Sequence, residues 1–205
     1  MPITGLPNIS GVDEEPVDLN GNLLNYDPFG ADMEGVVIDP SGNYWMVDEY
    51  RPAIYQFNAS GELLNRYVPS GTAALAGEPE GTFGTETLPA EYANRRRNRG
   101  FEGMALDTDS GILYAFIQTP LSNPDRSTGD TFSVIRMLGI NPATGEPVAE
   151  YVYLLEKPAY RSGGVVDKIG DAVYAGNGIF YVIERDSATN LTGKKFIFKV
   201  NLTGA

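Results

Sequence analysis

A short acidic motif occurs twice in this chain. Asp32-Met33-Glu34-Gly35 opens one apolar run, and Gly100-Phe101-Glu102-Gly103 opens another. Asp171 opens a third run of the same kind, Asp171-Ala172-Val173-Tyr174. Further acids close the runs that follow: Asp48-Glu49 in the first, Glu184 and Asp186 in the last. Carboxylates gathered at one point repel unless a cation sits among them, so the pattern points to a hard metal ion. The candidate ligands are Glu34, Asp48, Glu49, Glu102 and Asp171. Cations recur beside these acids. Arg51 follows Asp48-Glu49, Arg185 lies between Glu184 and Asp186, and Arg95, Arg96, Arg97 and Arg99 run into Phe101-Glu102. Arginine forks beside a metal suit phosphate oxygens. Each acid could instead cap a turn, and the arginines could balance acids as ion pairs.

The elements that would position these groups are strands. The motif sits in a repeat with units near residues 32–68, 100–155 and 165–203. Ser41-Gly42-Asn43-Tyr44-Trp45 corresponds to Ser110-Gly111-Ile112-Leu113-Tyr114, and Gly176-Asn177-Gly178-Ile179-Phe180 to both. Each unit reads as four short strands with glycine turns between them, which is the pattern of a propeller blade. The fold expected is therefore all-β: a β-propeller, or part of one, built of four-stranded antiparallel blades in a single domain over residues 1–205. The innermost strand of a blade lines the central channel, so strand ends from different blades can meet at its mouth. Helical periodicity is nearly absent, and residues 89–97 give one short helix at most. Trp45, mid-strand, reads as core. Propellers typically need four to eight blades. Three units are fewer than a ring needs, so the chain is expected to be a piece of a larger one, or to complete its ring in an unusual way.

Missing residue types narrow the chemistry. Among the 205 residues there is no histidine and no cysteine. That removes the Ser-His-Asp triad, histidine-ligated zinc hydrolases, thiolate nucleophiles and disulfides. Ligation by oxygen alone favours calcium or magnesium. The net charge of −12 argues against nucleic acid or an anionic membrane as partner. It fits a protein that neutralises part of its charge with bound cations, and it also fits plain solubility. No apolar stretch approaches the roughly 20 residues of a membrane span. No signal peptide is visible at the first residues. Asn8, Asn58, Asn190 and Asn201 stand in Asn-x-Ser/Thr triplets, which chance explains.

Four segments together resemble the phytase-like domain family, described as esterase-like activity of phytase. They are Asp32-Met33-Glu34-Gly35, Asp48-Glu49-Tyr50-Arg51-Pro52, Asn98-Arg99-Gly100-Phe101-Glu102-Gly103 and Glu184-Arg185-Asp186. The likeness runs over about residues 20–201. Arg51 departs from it, since the family more often has Gly there, and family domains usually run longer. The resemblance implies a calcium-binding β-propeller of secreted or periplasmic bacterial proteins. It implies esterase or phosphoesterase activity more loosely, because a fold does not fix a function.

The function expected is a calcium-dependent phosphoric-ester hydrolase acting on a small phosphorylated substrate. Metal would be held by Glu34 and Glu102, with Asp48, Glu49 or Asp171. Arg51, Arg99 and Arg185 would hold phosphate oxygens. Glu184 and Glu102 are the candidate catalytic carboxylates, Glu184 as general base. The alternative is a non-catalytic, calcium-stabilised propeller that binds a ligand or protein partner. Carboxyl-ester hydrolysis ranks last, because no Gly-x-Ser-x-Gly segment and no histidine base exist.

Overall fold

The computed structural model describes residues 3–156 and 166–205, so the expected start of the third unit at 165 lies outside the described residues. The chain is all-β, with several antiparallel sheets in succession. The first sheet contains β1 (Met33–Ile38), β2 (Tyr44–Asp48), β3 (Ala53–Phe57) and β4 (Leu63–Pro69), with β5 (Thr85–Leu88) added parallel to β4. The second contains β6 (Phe101–Asp107), β7 (Ile112–Ile117), β8 (Val134–Ile140) and β9 (Pro147–Leu154). The third contains β10 (Lys168–Tyr174), β11 (Ile179–Arg185) and β12 (Lys195–Asn201). The four-strand expectation thus holds for the first two units, while the third shows three strands among the described residues. The sheets follow one another as blades do and do not close on each other. Residues 89–97 form one turn of 3-10 helix, Ala90–Asn94. Two further short helices, α1 (Thr72–Leu75) and α2 (Arg126–Asp130), lie outside the sheets.

Local chemistry explains the hairpins. Asp39 accepts the N–H groups of Ser41 and Asn43 at 2.8 and 3.0 Å, and Gly42 takes φ 84°. Asp107 and Gly111 repeat the device between β6 and β7, with Gly111 at φ 76°. The aspartate that ends each repeated motif is therefore a turn residue. Trp45 is fully buried, and its indole N–H donates to Asp39 Oδ2 at 3.0 Å. The core lies between the sheets: Trp45, Val47 and Ile54 of the first, Phe101, Met104 and Phe116 of the second, Ile169, Phe180 and Val182 of the third. Phe180 meets the Tyr114 ring edge-on at 5.3 Å, joining the second and third sheets.

The inner strands β1, β6 and β10 run side by side, and the glycine after each motif Glu allows it. A Cβ on Gly35 would lie 2.6 Å from the Met104 nitrogen, and one on Gly103 would lie 3.0 Å from that of Ala172. At one end of these strands a chain of backbone hydrogen bonds stitches the sheets together. Glu49 N–H donates to Asp32 O at 2.9 Å, Gly100 N–H to Glu49 O at 2.6 Å, Gln118 N–H to Gly100 O at 2.8 Å, and Ile169 N–H to Gln118 O at 3.0 Å. A Cβ on Gly100 would sit 2.5 Å from Glu49 O, so this seam requires glycine.

Candidate metal and active site

The stitched end is where the acids meet. Asp32, Glu34 and Glu49 each place one carboxylate oxygen within 4.8 Å of the others. Asp32 and Glu34 come from the entry of β1, and Glu49 follows β2. Their positions follow from the pairing of β1 with β2, in which Met33 stands opposite Asp48. Glu102 belongs to the same surroundings, as the electrostatics show. The Glu34 carboxyl is pushed up to about 7 by burial, then by the charges of Glu102 and Asp32, with Arg185 opposing. The Glu49 carboxyl is also pushed up to about 7, by burial and then Glu102, with Arg99 opposing.

A line of polar contacts crosses the seam behind this triad. Arg185 donates to Glu102 Oε1 at 2.5 Å. Gln118 Nε2 donates to Glu102 Oε2 and, at 2.6 Å, to Glu49 Oε1. Arg99 donates to the same Glu49 oxygen at 3.0 Å. The side chains of Arg99 and Arg185 keep 32% and 30% of their surface, so solvent and solutes reach them. Asp171 is exposed and accepts the Ala172 N–H at 2.7 Å. It is near enough to Glu34 to add to the push on that carboxyl.

Other residues named from the sequence stand elsewhere. Asp48 is fully buried and accepts the N–H groups of Asp32 and Tyr50 at 3.0 and 2.9 Å, and the Tyr55 hydroxyl at 3.3 Å. Burial lifts its carboxyl to about 7 against the nearby Arg66 charge. It positions Asp32 and is not one of the clustered ligand atoms. Glu184 is fully buried and accepts the Tyr153 hydroxyl at 2.5 Å and the Glu156 N–H at 2.9 Å, which fastens the second sheet to the third. Arg51 is buried against Asp13 at 3.0 Å, over the Phe83 ring, with Arg95 on the same carboxylate. It pins the N-terminal segment and does not face the triad.

Sequence reasoning missed Gln118 and left Asp32 out of the ligand set. Asp32 was visible, as the first letter of its motif. Gln118 had one faint signal. Phe101 pairs with Ile117 and Ile169 with Glu184, as Met33 does with Asp48. Glu49, Gln118 and Arg185 therefore occupy the same place in successive sheets, with three different side chains. The same register puts Gly170, not Asp171, in line with Glu34 and Glu102.

The donor set fits a hard divalent cation. The ligand atoms are all oxygens, and two arginines face five acids. Burial, and then the charge of Glu102, push two of the carboxylates up to about 7. Gln118 Oε1 is buried beside them without a hydrogen-bond partner.

Fold and site define an all-β protein of blade-like sheets with an acidic, arginine-flanked mouth. The chain belongs to the Phytase-like family, esterase-like activity of phytase, whose model matches residues 12–205. It is similar to an "Uncharacterized secreted protein" of Arthroderma benhamiae, 28% identical over 177 residues, covering 76% of this chain and 34% of that protein. The chain thus spans about a third of that relative's length. Among solved structures it is similar to Kuenenia stuttgartiensis hydrazine synthase (TM-score 0.42, 13% identity, 91% of this chain and 47% of that one). The Dos1 propeller gives TM-score 0.41 at 11% identity, over 91% of this chain and 36% of that one. Streptogramin B lyase gives 0.39 at 12%, over 98% and 56%. Among the described residues no helix is long and apolar enough to cross a membrane.

Proposed function

We propose that this chain is a metal-dependent phosphoric-ester hydrolase, with calcium held by Asp32, Glu34 and Glu49. The observation that carries the reading is the triad of carboxylate oxygens within 4.8 Å, flanked by two part-exposed arginines. Calcium at that place would supply Lewis-acid polarisation of an ester oxygen and a lowered pKa for water. Arg99 and Arg185 each have further N–H donors beyond the one given to a carboxylate, and those donors hold phosphate oxygens and the charge that develops on them. Glu102 keeps Arg185 in place. Of the mouth's buried acids it is the one outside the triad, so the proton-accepting role expected of Glu184 passes to it. The substrate class is a small phosphorylated molecule. The name of the fungal relative favours secretion for this chain as well.

A second reading is supported by the backbone seam. The bonds from Asp32 through Glu49 and Gly100 to Gln118 run through the triad, so a cation there would also clamp the sheets. In that case the chain is a calcium-stabilised binding propeller without turnover.

The experiment is hydrolysis of a generic phosphomonoester with calcium added and then chelated, on the chain and on Glu34→Gln. The expected result is turnover that the chelator removes and that Glu34→Gln lowers by at least about 100-fold. No turnover, with a melting temperature that still rises on adding calcium, overturns the hydrolase and favours the clamp.

A further inference from the structure

The three sheets differ in how they are covered. In the middle one, every residue of β7 from Leu113 to Ile117 is buried, so both faces are packed. The third sheet is packed on one face. Along β11, Phe180 and Val182 enter the core, while Tyr181 and Ile183 take the other face. Val173 stands opposite Tyr181 and Ile197 opposite Ile183, so all four share that outer face. Among the described residues nothing covers Val173 and Ile197, which are 58% and 71% exposed. The first sheet has a matching feature. Val36 pairs with Met46 and Ile38 with Tyr44, on the side away from Trp45 and Val47. The N-terminal segment, through Ile3 and Ala31, covers Ala53 and Tyr55 on that side. It leaves Val36 and Ile38 54% and 57% exposed. Each end of the row of sheets thus presents an apolar strip, which marks an interaction surface. Charge distinguishes the two ends. The first 50 residues carry ten Asp and Glu and no Lys or Arg. Residues 166–205, which form the third sheet, carry five Lys and Arg against four acids. Lys195 and Lys199 are exposed and stand on the same face as Tyr181 and Ile183, Lys195 also pairing with Asp186.

We infer that two copies of this chain close into one ring, the third sheet of each packing on the first sheet of the other. Two acidic ends repel each other, and an acidic end attracts a basic one, so the contact is head to tail. It occurs twice, related by a twofold axis. The count of sheets sets the number of copies. Propellers typically take four to eight blades; one chain has three sheets, two copies have six, and three copies would have nine. Val173, Tyr181 and Ile197 of one copy lie against Val36, Ile38 and Tyr44 of the other, with Lys199 toward its acidic N-terminal segment. The inner strands of both copies line one channel, into which both acidic mouths open. The pairing requires no turnover, so it does not rest on the proposed hydrolase.

The test is sedimentation equilibrium of the whole chain over a range of protein and salt concentrations. One assembly at twice the 22.2 kDa of a single chain is expected. Its Kd should rise with salt, because the two ends differ in charge. Ile197→Glu and Ile38→Glu alter opposite ends, and each acts at both contacts. Each should therefore raise the Kd by about 100-fold or more. Both side chains are largely exposed in the single chain, so circular dichroism should show an unchanged fold. A species of 22.2 kDa at every concentration overturns the inference and leaves the two faces to sheets of another polypeptide. A trimer or an open-ended polymer overturns the closed pair. A dimer that Ile197→Glu dissociates and Ile38→Glu leaves intact overturns the head-to-tail contact, since the third sheets would then meet each other.

Discussion

Gln118 donates one amide group to two carboxylates, Glu49 of the first sheet and Glu102 of the second. It is 1% exposed, and it lies where the backbone seam crosses from sheet to sheet. A neutral donor between two acids lets them stand close together without a charge of its own, so the mouth stays negative. An arginine in its place would cancel part of that negative charge.

Gln118→Leu removes that donor and keeps an apolar side chain of similar reach. Two buried carboxylates then lose a partner and repel more strongly. In chelator the expected loss of stability is about 1–3 kcal/mol by urea denaturation. Calcium should recover part of it, because a cation relieves the same repulsion. An unchanged urea midpoint in chelator would show that the bridge carries no weight.

Asp13 is the anchor of the N-terminal segment. It is fully buried, pairs with Arg51 and Arg95, and accepts the N–H groups of Asn8 and Ile9 at 3.2 and 2.8 Å. Burial lowers the pKa of Arg95, with the Asp13 charge acting against it. Asp13→Ala leaves two buried guanidinium groups facing each other. The expected cost is about 3–5 kcal/mol, read from the denaturation midpoint. A cost within experimental scatter would mean that the segment contributes nothing to the sheets it covers.

The pH dependence of stability follows from the raised acids. Glu34 and Glu49 have an ordinary value of 4.5 and Asp48 one of 3.8, and all three are pushed up to about 7 in the fold. A raised carboxyl favours the folded state while it is protonated. Its contribution is full below the ordinary value and is lost as pH rises through the folded one. In chelator the melting temperature should therefore fall between about pH 4.5 and pH 7 and then level off. Asp18, Asp39, Asp107, Asp125 and Asp186 are lowered and act the other way, but only below their ordinary value of 3.8. With calcium present the fall should flatten or reverse, because the ligands bind as they lose protons. Curves that coincide with and without calcium would exclude a cation at Glu34 and Glu49.

Much of this molecule was legible in its sequence, because repetition and alternation are local properties. The repeated Glu-Gly pair, the turn glycines and the apolar runs determined an all-β chain of successive hairpin sheets. Missing histidine and cysteine determined that any metal would be held by oxygen. Arg99, Glu34, Glu49 and Glu102 could be named for the mouth because each sits at a strand end in a repeated unit. Which strand-end groups face the mouth was decided only by tertiary structure. Asp48 and Glu49 are neighbours in sequence, but Asp48 ends β2 and Glu49 lies in the turn that follows, so their carboxylates go to different places. One is locked under Tyr55 and the other joins the triad. Arg51 was drawn away by Asp13, a residue far off in sequence and near only after folding. Gln118 gains its role from lying between two acids that belong to different sheets.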